Sequence, residues 1–316
     1  MKDCMGREIE YLRLSVTDRC NLRCVYCRDG SEQCNKEKEL TVDDIDRIVK
    51  SMVSLGVNKV RLTGGEPLMR PDLEMIVKKI AQNDRIKDLC MTTNGQGLSY
   101  RAKALKEAGL MRLNISVDSL DPARYSRITR GGKIEEVIRG IDEAIACGLY
   151  PIKLNAVIVR GENDDEIDDF IALTKDRPID VRFIELMPIG KLGQDKENRV
   201  PSSEILESRS YLKRVMPRYP SQPSEDYKVE GYQGRVGFIS PMSHKFCNIC
   251  NRIRLTSDGQ IKPCLGNNGE VSLKNALLMG DEMLGAVIRK AIFNKPEGHN
   301  FDKKFTSDRV MSRIGG

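Results

Sequence analysis

Cys20, Cys24 and Cys27 stand in the run Cys20-Asn21-Leu22-Arg23-Cys24-Val25-Tyr26-Cys27, just past a short alternating segment. Three thiolates on one loop suit a zinc ion that draws a fourth ligand from elsewhere, or a cubic 4Fe-4S cluster. A cluster held this way keeps one iron without a protein ligand, and an open iron is a reaction site. A second set follows late in the chain: Cys247-Asn248-Ile249-Cys250, then Cys264. His244, three residues before Cys247, makes Cys3His zinc as good a reading there as iron-sulfur. Arg252, Ile253 and Arg254 come directly after Cys250. In an extended segment the two guanidiniums project to one side, an arrangement suited to phosphate or a purine edge.

Thr63-Gly64-Gly65-Glu66-Pro67 ends the segment Val60 to Thr63. Glycines there permit close backbone approach to a small polar ligand, and backbone groups freed at a strand end can hold an ammonium group. A plain strand-to-helix turn is the bland alternative.

These residues need a frame. Up to about residue 188 the chain repeats a strand-then-helix pattern six times, with strands expected near 10–17, 58–63, 87–93, 111–118, 151–158 and 179–186. Helices are expected from Thr41, with Ile45, Ile48, Val49 and Met52 on one face, and through Ile134, Val137, Ile138, Ile141 and Ile145. Pro71 is expected to open another helix, and Gly109 and Gly148 to close two.

Several strands alternate strictly: Leu12, Leu14 and Val16 with Arg13, Ser15 and Thr17; Leu113, Ile115 and Val117 with Asn114, Ser116 and Asp118; and Lys153 and Asn155 between Ile152, Leu154 and Ala156. One face packs on helices, so the polar face points elsewhere. A partial (βα)6 TIM-type barrel with a polar interior fits, and its lumen could hold a charged ligand. A sheet with one solvated face is the plainer alternative. After Pro188 the pattern breaks, giving residues 1–188 as the barrel and 189–316 as a C-terminal region. In the latter, 217–224 reads as surface loop, and hairpins are expected at 227–239 and 252–264.

The 316 residues carry 52 basic and 46 acidic side chains, a net charge of +6, with no basic tail for nucleic acid. No apolar run reaches the ~18 residues of a membrane span, and the charged first fifteen residues do not read as a secretory segment. A cytoplasmic protein is expected, and its ten cysteines point to metal or redox chemistry rather than disulfides. Cys4, Cys34, Cys90 and Cys147 are expected to be small buried residues or idle thiols.

The first cysteine loop after strand one, together with Gly64-Gly65-Glu66-Pro67 after strand two, resembles the radical S-adenosylmethionine superfamily. Cys-x2-Cys, Arg-x-Arg, the third cysteine and the terminal Gly315-Gly316 narrow the resemblance to its members that cyclise GTP in molybdenum cofactor biosynthesis. The resemblance implies two 4Fe-4S clusters: one on Cys20, Cys24 and Cys27 that chelates S-adenosylmethionine, and one on Cys247, Cys250 and Cys264 whose open iron meets the guanine base. It implies S-adenosylmethionine contacts at Tyr26, Gly65, Ser116 and Met187, and GTP contacts at Arg13, Arg61, Thr92, Lys153 and Arg252, Ile253 and Arg254. Arg252, Arg254 and a tail carrying Gly315 and Gly316 into the site are implied to serve catalysis.

The implied reaction removes the ribose 3' hydrogen and joins that carbon to C8 of guanine, giving (8S)-3',8-cyclo-7,8-dihydroguanosine 5'-triphosphate. It implies an electron donor, and it admits a homodimer and a downstream pterin-forming enzyme as partners. Two other readings remain: a radical peptide-modifying enzyme with an auxiliary cluster, and a non-catalytic zinc or iron-sulfur module.

Overall fold

The computed structural model describes residues 1–27, 39–299, 301 and 313. Six parallel strands follow the expected segments closely: β1 (Tyr11–Ser15), β2 (Lys59–Thr63), β3 (Asp88–Thr93), β4 (Arg112–Ser116), β5 (Ile152–Ile158) and β6 (Ile179–Glu185), adjacent in chain order. Helices lie between them on one face. The helix Val42–Ser54 starts at a capping box, in which Thr41 and Asp44 each accept from the other's backbone N–H. It buries Ile45, Ile48, Val49 and Met52 as expected.

The helix Ile134–Ala146 differs in detail, because Ile138 is exposed and Ile145 only partly buried. Gly140 and Ala144 take the inner face with Ile134, Val137 and Ile141. Gly140 sits where a Cβ would stand 2.9 Å from Leu98 Cβ, so close packing on the short 3-10 helix Leu98–Tyr100, rather than apolar side-chain type, selected that face. Pro71 lies two residues before the helix Leu73–Ala81, and Asp72 is its N-cap.

The C-terminal region does not form a separate layer. β7 (Lys213–Arg214), β8 (Glu225–Lys228) and β9 (Val236–Ile239) extend the sheet beyond β6. β10 (Arg252–Leu255), β11 (Gln260–Lys262) and β12 (Val271–Ser272) extend it beyond β1. Both expected hairpins are present, the second turning at Gly259, whose φ is +81°. β9 runs parallel to β6 and β10 parallel to β1, while no hydrogen-bonded ladder joins β9 to β10. Residues 240–251 therefore leave the C-terminal end of one edge and reach the N-terminal end of the other. They cross the open side of the barrel, and they carry Cys247 and Cys250.

Segment 217–224 is the loop expected from its composition, exposed at Pro217, Arg218 and Pro220 but turned inward beyond them. Gln222 and Ser224 are buried, the Tyr219 ring lies 4.0 Å from Lys59 Nζ, and Ser221 accepts from Asn251 Nδ2. Gln222 and Ser224 are held locally, by Arg218 N, Ser224 O and Asp226, while Tyr219 and Ser221 reach residues distant in sequence that no local periodicity announces. Among the described residues no helix is long and apolar enough to cross a membrane.

Alternation on β10 sends Ile253 into the core, fully buried beside Leu12 in the β1 register, while Arg252 and Arg254 face the lumen. Ile253→Ala is expected to cost about 2–5 kcal/mol of unfolding free energy while leaving both guanidiniums in place. Chemical denaturation of the variant and the parent checks this.

Candidate active site

At the C-terminal ends of the strands, β1 leads into the first cysteine loop. Gly65 N donates to Thr17 O at 2.7 Å, and Glu66 N to Arg19 O at 2.7 Å. A Cβ on Gly65 would stand 2.3 Å from Arg19 O, and one on Gly64 2.5 Å from Thr17 O. The approach these glycines permit is thus first of all by the chain itself, along the backbone that enters Cys20. Glu66 is buried and accepts from Thr93 Oγ1 (2.6 Å), Asn94 N (2.6 Å) and Leu68 N (3.0 Å). Burial raises its pKa to about 7 against the pull of those bonds.

The far side of the loop is tied down by Arg23 N to Thr129 O at 3.2 Å and Val25 N to Ile128 O at 3.0 Å. Tyr26, between two of the cysteines, donates to Asp118 Oδ2 at 2.5 Å, while Asp118 Oδ1 accepts from Val157 N at 2.9 Å. A cavity of about 270 Å³ opens beside them, lined by Val25, Tyr26, Asp118, Val157, Asn163 and Leu192. Ser116 closes β4, in register with Asn155 of β5, and Met187 follows β6 half-buried.

Burial pushes the Cys24 thiol up, and Asp118, Cys27 and Cys20 push it further, so the three thiols lie within electrostatic reach of one another. They fit a group that displaces their protons. Among the described residues no three His, Cys, Asp or Glu side chains converge as ligands of a single ion. A cubic cluster asks for less, since each thiolate meets its own iron.

The second set lies at the opposite end of the strands. The β10–β11 ladder pairs Arg254 with Lys262, so Cys264, two residues on, returns beside Arg252 and Cys250. Cys250 N donates to Cys247 O at 3.2 Å. Burial would raise the Cys250 thiol, yet Arg252 and Lys295 bring its pKa down to about 6, so it is a thiolate at neutral pH. Lys295 is buried with Nζ on Pro263 O at 2.6 Å. Arg7, held by Asp3, donates to the carbonyls of Cys247, Lys295, Pro296 and Glu297. This clamp joins the start of the chain to the second cysteine loop. His244 is exposed there and its backbone N–H bonds Ser240 O.

Between the two ends the inward positions are cationic. Register places Arg254, Arg13 and Arg61 side by side on β10, β1 and β2, followed by Cys90 on β3 and Arg112 on β4. A further row runs Thr92, Asn114, Lys153, Asp180, and another Ser116, Asn155, Arg182. Arg112 is chelated by Asp88, which also holds Lys59. Glu66, Glu185 and Asp118 are engaged elsewhere, Glu185 by the N–H groups of Met242 and Ser243. Among the described residues no carboxylate lies within ion-pair distance of Arg13, Arg61, Lys153 or Arg182. Arg61 Nε donates to Cys90 Sγ at 3.4 Å, so Cys90, buried as expected, is also part of the lumen wall.

The strain shows in the titration of Arg13, Lys153, Arg254 and Arg182, whereas Arg61, although burial opposes its charge, is raised by Tyr11 and Cys90. Burial, with Arg61 and Arg252 adding, lowers Arg13 to about 10. Burial, with Arg182 and Arg112 adding, lowers Lys153 to about 6. Arg254 falls well below its ordinary value through burial beside Arg13 and Arg252, and Arg182 falls through burial against the pull of Tyr219. The solvated-face reading of the sheet fails here, because Arg61, Lys153 and Arg182 are almost wholly buried.

A profile described as the Radical SAM superfamily matches residues 14–174, and one described as Molybdenum Cofactor Synthesis C matches residues 179–301. A curated relative from Alkaliphilus oremlandii, named GTP 3',8-cyclase, is 49% identical over 100% of both chains. The chain belongs to the GTP 3',8-cyclase family. Another member, from Listeria monocytogenes, is 44% identical over 100% of this chain and 99% of its own. Among solved structures, Streptococcus suis SuiB bound to S-adenosylmethionine aligns with a TM-score of 0.63 at 14% identity, covering 89% of this chain and 68% of that one. That likeness is one of fold.

GTP 3',8-cyclases are radical enzymes that use S-adenosylmethionine and 4Fe-4S clusters, and both thiol sets suit such clusters. Gly315, Gly316 and Cys34 lie outside the described residues. The structure also brings Arg182, Lys59, Asn114 and Asn155 to the lumen and Arg7 and Lys295 to the second cysteine loop, none of which the sequence singled out as candidates. For Arg182 a signal was present: Val181 and Phe183 flank it as buried apolar residues, the alternation that marked Arg13. Arg7 and Lys295 carry no local signal, since their partners are distant in sequence.

Gly65→Ala is expected to force the Thr17–Arg19 backbone away, lowering stability by about 1–3 kcal/mol. Iron retained after anaerobic reconstitution should fall with it. Iron content and stability both equal to the parent's would remove the packing role assigned to Gly65.

Proposed function

We infer that this chain performs the reaction of its family, the radical cyclisation of GTP to (8S)-3',8-cyclo-7,8-dihydroguanosine 5'-triphosphate in molybdenum cofactor biosynthesis. The observation that carries the reading to the site is the set of lumen cations, Arg13 and the buried Arg61, Lys153 and Arg182, with no carboxylate partner among the described residues, between two sets of thiols. Crowded like charges in a lumen of low polarisability await a polyanion, and a triphosphate supplies the missing charge.

Cys20, Cys24 and Cys27 would hold one cluster and Cys247, Cys250 and Cys264 the other. When bound, the first cluster and S-adenosylmethionine supply the one-electron chemistry that opens an unactivated C–H bond. Tyr26, Gly65, Ser116 and Met187 would position S-adenosylmethionine, with its nucleoside in the cavity beside Tyr26 and Asp118. Arg13, Arg61, Lys153 and Arg182 would hold phosphates, while Thr92 and the segment Arg252, Ile253 and Arg254 would meet the nucleoside. Ile253 can contribute only its backbone, its side chain being in the core. Gly315 and Gly316 would enter the site as the end of the tail.

Residues 1–188 would carry radical generation and 189–316 the recognition of the base, in a cytoplasmic protein. An electron donor is required. A second copy of this chain and a downstream pterin-forming enzyme are the further partners this reading admits. A peptide substrate is the rival reading, and Arg252 with the buried Arg254 beside the second thiol set favours the nucleotide.

Lys153 is largely neutral in the empty lumen at pH 7.5, since its pKa lies near 6. An adjacent triphosphate raises that pKa, so binding takes up a proton between pH 6 and the bound value, and affinity falls as pH rises through that window. Calorimetric titration of GTP in buffers of different ionisation enthalpy should report net proton uptake, lost in Lys153→Met.

The reaction itself is tested with GTP deuterated at the ribose 3' carbon, incubated anaerobically with cluster-loaded protein, S-adenosylmethionine and reductant. Deuterium is expected in 5'-deoxyadenosine. Cleavage of S-adenosylmethionine without label transfer would hand the substrate role to the peptide alternative.

A further inference from the structure

Two amides stand among the lumen cations and are not used by the assignments above. Asn114 lies on β4 between the core residues Leu113 and Ile115 and is wholly buried. Its Oδ1 accepts from Arg112 Nη1 at 3.3 Å, which fixes Nδ2 as the other end of the amide, and Nδ2 is buried with no partner. Asn155 lies on β5 with its Oδ1 likewise buried and unpartnered. Thr92 Oγ1, next to Asn114 in register, is a third such atom.

We propose that Asn114 and Asn155 recognise the ribose hydroxyls of the bound nucleotide and determine its selection over deoxynucleotides. A buried donor on β4 and a buried acceptor on β5, left open on the same face at diagonal register positions, ask for groups that can accept and donate, and a hydroxyl does both. Their neighbours fix which part of the ligand they meet. Asn114 stands between Thr92 and Lys153, and Asn155 between Ser116 and Arg182. Each therefore lies next to a cation suited to phosphate, and Asn155 also touches the row that ends at the S-adenosylmethionine end of the barrel.

The inference rests on the GTP reading above. A reaction that joins ribose C3' to C8 must present the ribose where the phosphate and S-adenosylmethionine positions meet. The amides are neutral, as suits an uncharged diol rather than another phosphate. A site built to bond a hydroxyl discriminates strongly against the analogue lacking it, because its own polar atoms are then left unpaired.

Calorimetric titration of cluster-loaded full-length protein with GTP, 2'-deoxyGTP and 3'-deoxyGTP tests this. The parent should prefer GTP over at least one deoxy analogue by about tenfold or more. Asn155→Ala and Asn114→Ala should weaken GTP by a similar factor and leave that analogue nearly unchanged, so that the preference collapses. Asn155→Asp keeps an acceptor oxygen and should keep the preference even where its charge weakens all three nucleotides together. Equal losses for all three nucleotides in both alanine variants would mean that the amides only shape the lumen, and the proposal falls. A parent that binds all three equally overturns it while GTP binding stands; a parent that binds none overturns the GTP reading as well.

Discussion

Like-charge crowding in the barrel is the constraint around which the molecule is arranged. Arg254, Arg13 and Arg61 occupy neighbouring strands at one register level, and Lys153 and Arg182 face them from the other wall. Such groups lose hydration and repel one another, so in the empty state they oppose folding. The outer face must hold the sheet without their help. It does so through a continuous apolar layer from Leu12, Leu14 and Val60 round to Val181, Phe183 and Phe238. Two carboxylates limit the repulsion: Asp88 holds Lys59 and Arg112, while Asp180 takes Arg218. The charge that remains is concentrated where a polyanion can use it.

The two thiol sets stand in contrasting fields. Burial and Asp118 raise Cys24, whereas Arg252 and Lys295 lower Cys250 to about 6. The first loop is tied by backbone hydrogen bonds to β2 and to the helix Pro122–Thr129, all within the six-strand repeat. The second is held by Arg7 and Lys295, drawn from opposite ends of the chain. The sheet topology explains the difference. A segment that crosses the open side of a barrel has no neighbouring strand to bond with, so side chains from distant residues must secure its carbonyls.

The repeat and the strand positions were legible because the βα pattern is local: apolar alternation on β1, β4 and β5 and the cap at Thr41 each lie within a few residues. The inward-facing positions were legible where they ride on that pattern, as at Arg13, Ser116 and Lys153. Placement was not legible where it depends on packing. Ile138 is as apolar as Ile141 yet faces solvent, because Gly140 turns inward to pack closely on the 3-10 helix at Leu98. Segment 217–224 has the composition of a loop and lies at the N-terminal end of the lumen, beside Lys59, because Tyr219 finds a cation across the fold. The Gly64-Gly65 pair was expected to permit the close approach of a small polar ligand, and the structure also brings the chain's own backbone against it.

That backbone contact bears on how the two halves of the site are coupled. Because Gly65 packs against the residues that enter Cys20, and Glu66 bonds the end of β3, the first loop cannot shift without moving the ends of β2 and β3. Those same strands carry Arg61 and Thr92 a turn of the alternation lower. On the other edge β10 carries Arg252 and Arg254 straight out of the second cysteine loop and pairs with β1. β1 thus touches both loops, with Arg13 at its centre. Rigid strands rather than flexible loops set the spacing between the two thiol sets and the cations between them, as a reaction between two bound partners requires of its scaffold.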